Sequence, residues 1–144
     1  MKVRKYLDSD FEELIKLYKN KPAYGGNYDA ERDERNKLDK TSECGNLFVV
    51  ENENREIVGS AMILDNPHTF WLLRFVVDPE LNEYQEVCEL LIEELKMIAK
   101  GRGHGSIIVY TDPTDAKLNT RYTNLDFHQG GEYRCYWIPV ENQT

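Results

Sequence analysis

The sequence predicts one α/β domain, residues 1–144, with a mixed central sheet of about seven strands and about four helices. The strongest observation is an apolar run that passes through a polar stretch into a helical pattern, which predicts strand, loop and helix over residues 70–100. Two β-branched, apolar segments, 46–51 and 56–64, flank the turn residues 52–55 and predict a β-hairpin. The length of 144 residues also matches one domain with its own core.

The first half of the chain begins with a predicted strand at residues 3–7. Ser9 then starts an S-x-x-E capping box, and apolar residues at helical spacing follow it, so a helix is expected there. The polar region 19–45 contains helix breakers and a charged segment, 28–38, with little apolar face; we expect a mobile flap holding a short charged helix. Residues 69–77 have too few polar positions to face water, which predicts a strand buried on both faces.

The second half of the chain begins with the long helix that is predicted within residues 70–100. Apolar residues recur at steps of three and four from Tyr84 to Ile98, with acidic residues between them, which predicts an amphipathic helix packed on the sheet. The glycine-rich residues 101–105 end this helix, and the segment 106–110 predicts another buried strand.

A last helix and two more strands complete the predicted order. Asp112, followed by Pro113, is a candidate N-cap for the last helix. Phe127 and the segment 133–140 predict two strands joined by a glycine turn. The element order is therefore β-α-(α)-β-β-β-α-β-α-β-β, with antiparallel hairpins in the first half and a βαβ crossover in the second.

Charge and composition exclude several kinds of partner. Eighteen basic and 26 acidic side chains give a net charge of −8, the wrong sign for binding nucleic acid or an anionic membrane and the right sign for a cationic amine. No apolar stretch is long enough to cross a membrane and the first residues lack a signal-peptide core, so the expected location is the cytoplasm. Cys44, Cys88 and Cys135 form no CxxC pair and no cluster with histidine, so neither a disulfide framework nor a metal site is expected.

Two spaced motifs give the sequence a family resemblance. Val77-Asp78-Pro79 is followed, without any gap relative to the family spacing, by Leu90-Leu91. The motif N-x-x-A-x-x-x-Y-x-x-x-G-F is matched in part farther on, with Asp115 in the asparagine place and with Tyr122 and Phe127 retained. In these motifs and in its element order, the chain resembles the GNAT superfamily of N-acetyltransferases over essentially its whole length.

The resemblance implies direct transfer of an acetyl group from acetyl-CoA to an amine acceptor. It implies that Tyr122 protonates the departing thiolate, although a tyrosine at helical spacing between Leu118 and Leu125 also fits an ordinary core residue. It assigns the oxyanion role to a backbone N–H near residues 75–77. The residues that it assigns to coenzyme contact are Phe75, Val76, Val77, Asn82, Glu83, Tyr84, Gln85, Glu86, Val87, Cys88 and Asp115.

The loop between the strand and the long helix departs from the family pattern R/Q-x-x-G-x-G/A. Asn82, Gln85 and Val87 stand where the arginine and the two glycines are usual. Those glycines let the backbone approach a pyrophosphate closely, and larger side chains crowd that approach. Glu83 and Glu86 also place negative charge at the helix start, where it would repel a phosphate.

Two functions therefore stay open at this stage. The first is a GNAT-type N-acetyltransferase that takes a small-molecule or peptide amine. The second is a GNAT-fold protein that has lost coenzyme binding and works as an interaction or regulatory module, which the altered loop favours together with Arg74, in a place where an acidic residue is frequent. The aromatic pair Tyr136-Trp137 on the predicted last strand would serve a partner or a homodimer in either case.

Overall fold

The computed structural model of the protein describes residues 1–20 and 27–141. The chain forms two compact units, Met1–Tyr110 and Thr111–Thr144, which we call unit 1 and unit 2. Among the described residues, unit 1 contains the sheet and three α-helices, and unit 2 contains a fourth helix. The described residues contain four α-helices, which confirms the expected number of about four. The breaker residues of the expected flap, 21–26, lie outside the described residues.

In the part of the chain that the structure describes, the sheet of unit 1 has four antiparallel strands in sequence order, not the mixed sheet of about seven strands that the sequence predicted. The parallel part of the expected sheet is reduced, within the described residues, to one bridge between Trp71 and Ile108. Two backbone hydrogen bonds make this bridge, from Leu72 N–H to the Ile108 carbonyl at 2.8 Å and from Ile108 N–H to the Phe70 carbonyl at 3.0 Å. The strands are β1 (Lys2–Lys5), β2 (Leu47–Glu51), β3 (Ile57–Asn66) and β4 (Thr69–Val77).

The remaining strand predictions were wrong for a common physical reason. Residues 106–110 make one bridge instead of a strand, and they are half-buried or exposed instead of buried. The segments around Phe127 and over 133–140 form no strand among the described residues, and 133–140 is exposed throughout. Their β-branched and aromatic composition gives them β propensity, but propensity makes a strand only where a neighbouring strand is available to pair.

The first helix, α1 (Phe11–Asn20), starts close to the predicted place, after a 3-10 turn at Asp8–Asp10. Asp10 organises this start, because its carboxylate accepts from the Leu7 N–H at 2.8 Å and takes two bonds from the Arg4 guanidinium at 2.7 and 2.9 Å. Burial alone would raise the pKa of Asp10, but the hydrogen bonds and the charge of Arg4 together hold it below its ordinary value.

The second helix, α2 (Arg35–Glu43), lies later in the chain than the predicted charged helix at 28–38. The correction has a local cause. The side chain of Asp29 accepts from two backbone N–H groups, those of Glu31 and Arg32, at 3.0 and 2.8 Å. These bonds form a turn that competes with helix formation, so the helix begins only after it.

The third helix, α3 (Tyr84–Gly101), lies on the opposite side of the sheet from α1, and the predicted amphipathic helix is confirmed. Val76 belongs to the core that α1 forms, whereas the next residue, Val77, lies with Val87 and Leu91 of α3 around Gly59. Val76 and Val77 therefore pack on opposite faces of the sheet, against α1 and α3 respectively. The buried residues of the α1 layer are Tyr6, Leu14, Ile15, Leu17, Tyr18, Leu38, Leu47, Val49, Ile57 and Val76.

Strand β4 contains a β-bulge at Leu73. Ile63 pairs with Leu72 and Met62 pairs with Arg74, so Leu73 has no partner on β3 and its side chain is exposed. A bulge shifts the alternation of side chains along its strand. Arg74 is consequently buried on the α1 side of the sheet, where it stacks on Tyr18.

Unit 2 is organised by α4 (Ala116–Asn124). Its N-cap is Asp115, whose carboxylate accepts from Leu118 N–H at 3.1 Å, so the prediction of Asp112 as N-cap was wrong. Asp112 instead accepts from the Thr114 N–H and hydroxyl at 2.8 and 2.7 Å and closes a turn before the helix. None of the described helices, in either unit, is long and apolar enough to cross a membrane.

Candidate functional site

The candidate site of unit 1 is the junction where β4 ends and α3 begins. Asp78 N–H continues the ladder by donating to the Val58 carbonyl at 3.0 Å. Two turns then lead into the helix, with Leu81 N–H donating to the Asp78 carbonyl at 3.3 Å and Tyr84 N–H to the Leu81 carbonyl at 3.2 Å. The chain therefore passes directly from a buried strand end to a helix N-terminus, an arrangement suited to holding an anion.

The N-terminus of α3 offers backbone donors. Glu83 is the N-cap residue, and its side chain makes no capping hydrogen bond. Within the described residues, the backbone N–H groups of Glu83 and Glu86 donate to no acceptor. The donor set thus fits a phosphate group, since unsatisfied N–H groups at a helix start point toward the ligand. The two carboxylates on the same residues oppose that fit electrostatically.

The residues predicted to contact coenzyme A fall into two groups in unit 1. The side chains of Asn82, Glu83 and Glu86 are exposed, and those of Tyr84 and Gln85 are half-buried, so this group can face a ligand. The second group is buried in the core, so only its backbone atoms are available to a ligand; its members are Phe75, Val76, Val77, Val87 and Cys88.

The α1 side of β4 carries a buried ion pair that sequence reasoning missed. The Arg74 guanidinium bonds the carboxylate of Asp33, whose side chain has no exposed surface, and also donates to the Asn27 carbonyl. Arg74 lies 3.7 Å above the ring of Tyr18, and burial raises the pKa of this phenol although the charge of Arg74 opposes the shift. The described part of the expected flap is therefore anchored to the sheet at Asp33.

A signal for this pair was present in the sequence. Arg74 is the only charged residue in the apolar run 69–77, and a charge buried in a sheet requires an acidic partner. Asp33 lies in a run of mixed charges that resembles an exposed helix face, so nothing distinguished it from its neighbours. Arg74, in the place where the family frequently has an acidic residue, is thus committed to a structural ion pair.

In unit 2, Tyr122 is buried and belongs to a small polar and aromatic cluster. Its phenol oxygen accepts from Arg121 Nη2 at 2.8 Å, and its ring meets Phe127 edge-on at 5.2 Å between centroids. Because a guanidinium can only donate, the phenol oxygen is the acceptor in this bond. Asp115, also in unit 2, uses its carboxylate to cap α4. Among the described residues, no group of His, Cys, Asp and Glu side chains is arranged to hold a metal ion.

Comparison with solved structures identifies the fold as that of the GNAT acetyltransferases, which confirms the resemblance at the level of the fold. No family model matches this sequence, and no curated protein is similar to it in sequence. The three structures described next share 10–18% identity with this chain, so the likeness is one of backbone and not of side chains.

Three of these structures illustrate the likeness. PaiA N-acetyltransferase from Thermoplasma acidophilum, in complex with coenzyme A, is 18% identical with a TM-score of 0.72, over 85% of this chain and 86% of that chain. A GNAT-family acetyltransferase from Bacillus anthracis is 18% identical with a TM-score of 0.71, over 90% and 80%. An aminoglycoside antibiotic 6′-N-acetyltransferase from Acinetobacter haemolyticus is 10% identical with a TM-score of 0.76, over 98% and 100%.

Proposed function

We propose that the protein transfers an acetyl group from acetyl-CoA to an amine. The observation that carries the proposal is the strand-to-helix junction after Val77, where a GNAT-like fold presents backbone donors at the start of α3. A solved neighbour with this fold holds coenzyme A, which supports the same ligand class here.

The proposed reaction needs few groups from the protein. The N–H groups of Glu83 and Glu86 bind the pyrophosphate, and the backbone of residues 75–77 holds the acetyl carbonyl. The ammonium form of the acceptor first loses a proton to solvent, and the neutral amine nitrogen then forms a bond to the acetyl carbon as the carbon–sulfur bond breaks. The nitrogen gives up a second proton to solvent. The thiolate takes a proton from Tyr122, the residue that the family resemblance nominates for this role, and solvent reprotonates the phenol. Direct attack of this kind requires positioning but no nucleophilic side chain.

The acceptor class follows from charge. A net charge of −8 attracts cations over the whole surface and raises their local concentration. We therefore propose a cationic amine, either a small molecule or a peptide amino group, as the acceptor. An anionic acceptor would be repelled by the same field.

A non-catalytic role is the second candidate, and two observations favour it. The carboxylates of Glu83 and Glu86 already stabilise the N-terminus of α3, so an external anion would add less there than at an uncharged helix start. Arg74 occupies the β4 position where an acidic residue is frequent in the family, and it is paired with Asp33, so this position supplies no carboxylate to act as a general base. A GNAT-fold protein without coenzyme binding would show both features.

Calorimetric titration with acetyl-CoA and with coenzyme A separates the two candidates. We expect binding of both, and the absence of heat and of any thermal shift at millimolar coenzyme would refute the acetyltransferase. Turnover is best followed with labelled acetyl-CoA, because the exposed Cys44 and Cys135 would react with thiol-detecting reagents.

The proton-donor role of Tyr122 is tested by a separate variant. Tyr122→Phe should bind coenzyme A as the wild type does and lose roughly 100-fold or more in turnover, the usual contribution of a general acid. Tyr6→Phe is the matched control, since it removes another buried phenol oxygen, one that has no hydrogen-bond partner among the described residues. Equal turnover of Tyr122→Phe and the wild type would remove Tyr122 from the mechanism.

A further inference from the structure

One side chain of β4 holds a stretch of the chain that precedes α2. This stretch is residues 27–34, which we call the anchored segment. Arg74 donates from Nη2 to the Asn27 carbonyl and from Nη1 to the Asp33 carboxylate. A guanidinium presents its donors in a rigid planar fork. The two bonds therefore fix the direction of the anchored segment as well as its distance from the strand.

The anchored segment also forms a turn of its own. Asp33 N–H donates to the Asp29 carbonyl at 2.8 Å, and the Asp33 carboxylate accepts from Asp29 N–H at 2.9 Å. The segment's own arginine, Arg32, donates to the Asn27 carbonyl and lies 3.8 Å from the Asp33 carboxylate. These bonds shape the turn, whereas Arg74 attaches it to the sheet. The attachment is buried, since the Arg74 and Asp33 side chains are 7% and 0% exposed, and a buried pair of this kind is costly to break.

Arg74 lies next to the place that we propose for the acetyl group. It follows the bulge at Leu73 directly and precedes residues 75–77, whose backbone would hold the acetyl carbonyl. A strand rises about 3.3 Å per residue, so residues 75–77 lie roughly 3–10 Å along β4 from the anchoring side chain. The anchored segment is therefore a close neighbour of the reacting atoms on the α1 side of the sheet.

Packing restricts the route by which an amine can reach this part of β4. On the α3 side, Val77 is buried against the helix, and on the α1 side Val76 is buried in the core. Over the described residues β4 is the outermost strand of the sheet, and its one bridge beyond, from Trp71 to Ile108, lies before the bulge. The edge of residues 74–77 is thus the route left for an acceptor, and the anchored segment borders it on the α1 side.

We propose that Arg74 is a positioning residue for the amine acceptor, because it holds the anchored segment in place as one wall of the acceptor's route. The inference rests on the proposed acetyltransferase function. Glu31 and Glu34 of the segment are exposed, which suits a cationic amine passing beside them. Coenzyme A would instead contact the start of α3. Loss of the anchor should therefore affect the two substrates unequally.

A double variant removes the anchor and keeps the turn. Asp33→Asn retains an oxygen that can accept from Asp29 N–H, and Arg74→Met replaces the guanidinium with an apolar side chain that packs on Tyr18. No buried charge is left without a partner, so the fold should persist. The matched control makes the same two changes in another Arg–Asp pair of unit 1, Arg4→Met with Asp10→Asn, whose bonds of 2.7 and 2.9 Å lie at the start of α1.

Limited proteolysis of the full chain tests the anchor without any need for turnover. A glutamate-specific protease cuts after exposed glutamates once the backbone opens locally. Cleavage after Glu31 and Glu34 should be roughly tenfold or more faster in the double variant than in the wild type. Cleavage after Glu53, in the exposed turn between β2 and β3, is the internal reference and should not change. Equal cleavage of the anchored segment in the double variant and the wild type would overturn the proposal.

Kinetics with labelled acetyl-CoA test the role in acceptor binding. The amine probes are lysine amide, 1,6-diaminohexane and a lysine-containing peptide, and the fastest of them is used for all variants. The double variant should raise KM for the amine by roughly tenfold or more and leave KM for acetyl-CoA within about twofold, while the control changes neither. An unchanged KM for the amine, or an equal rise of both KM values, would reject the positioning role. Failure of the proposed function itself is recognised separately, since the wild type would then bind no acetyl-CoA.

Discussion

Gly59 on β3 sets the distance between the sheet and α3, and replacing it with alanine tests that packing. An added Cβ would lie 3.1 Å from Val87 Cγ1, 3.3 Å from Val77 Cγ2 and 3.4 Å from Leu91 Cδ1. All three distances are shorter than the roughly 3.5–4.0 Å at which carbon atoms attract most strongly. The helix or the strand must therefore move by a few tenths of an ångström to admit the methyl group.

The expected magnitude is a difference of two terms. Over-packing of a well-packed core costs about 1–3 kcal/mol. Replacing a strand glycine also lowers the conformational entropy of the unfolded chain, which stabilises the folded state by roughly 0.5–1 kcal/mol. We expect Gly59→Ala to lower the free energy of unfolding by about 1 kcal/mol, or about 2–4 °C in Tm for a chain of this length. Because Val77 and Val87 flank the candidate site, the same change should also weaken coenzyme binding.

Urea unfolding and calorimetric titration measure the two effects. Gly101→Ala is the matched control, since Gly101 lies in the last turn of α3 and a Cβ there would meet nothing within 4 Å. That change should stabilise the protein by up to roughly 1 kcal/mol. The packing argument fails if Gly59→Ala is as stable as the wild type, or if both variants change stability in the same direction.

Three further predictions concern charge. The double change Glu83→Gln and Glu86→Gln should tighten coenzyme A binding by about threefold to thirtyfold at low salt, with the gain shrinking at high salt; unchanged affinity in a titration would contradict the proposed phosphate site. Asp33→Asn should lower the free energy of unfolding by roughly 3–5 kcal/mol, because it leaves the Arg74 charge buried without its partner. The double variant with Arg74→Met should recover much of that loss, and a mild single-variant effect in urea unfolding would show that the pair is solvated. The lowered pKa of Asp10 means that its stabilising effect is complete above the unfolded pKa and is lost as pH falls through the lower folded value. The stability advantage of the wild type over Asp10→Asn should therefore decline below about pH 4 in acid unfolding, and an advantage independent of pH would contradict the assignment.

Helices and strands were predicted correctly where the apolar periodicity of a segment and the neighbouring elements available for packing favour the same structure. The hairpin of β2 and β3, the strand β4 and the helix α3 each have a long apolar pattern and a neighbour to pack against, so local and tertiary preferences coincide. Helix α2 was misplaced because the side chain of Asp29 bonds the backbone ahead of it, a local competition that composition does not reveal. The segment 133–140 has strand propensity, but pairing is a tertiary property.

The strand-to-helix junction that we propose as the site was predictable in its place along the chain, but its geometry was not. Spacing from Val77 to Leu91 located the junction, since a family motif fixes distances along the chain. The orientation of the N–H groups at Glu83 and Glu86 depends on the two turns between Asp78 and Tyr84, which the sequence pattern does not specify. The pairing of Asp33 with Arg74 joins residues 41 positions apart, and a single sequence carries no signal of which acidic residue meets a buried arginine.

The bulge at Leu73 divides β4 into two half-strands that are out of phase. Phe70 packs against His104 after α3, and Val77 lies against α3 itself, although their positions differ by an odd number of residues. Without the extra residue, only one half-strand could place its large apolar side chains toward α3. A change of one residue in length at this point would therefore exchange the inner and outer surfaces of residues 74–77 at once, moving Arg74 into the α3 layer. In natural variation, insertions and deletions should be far rarer at this position than substitutions.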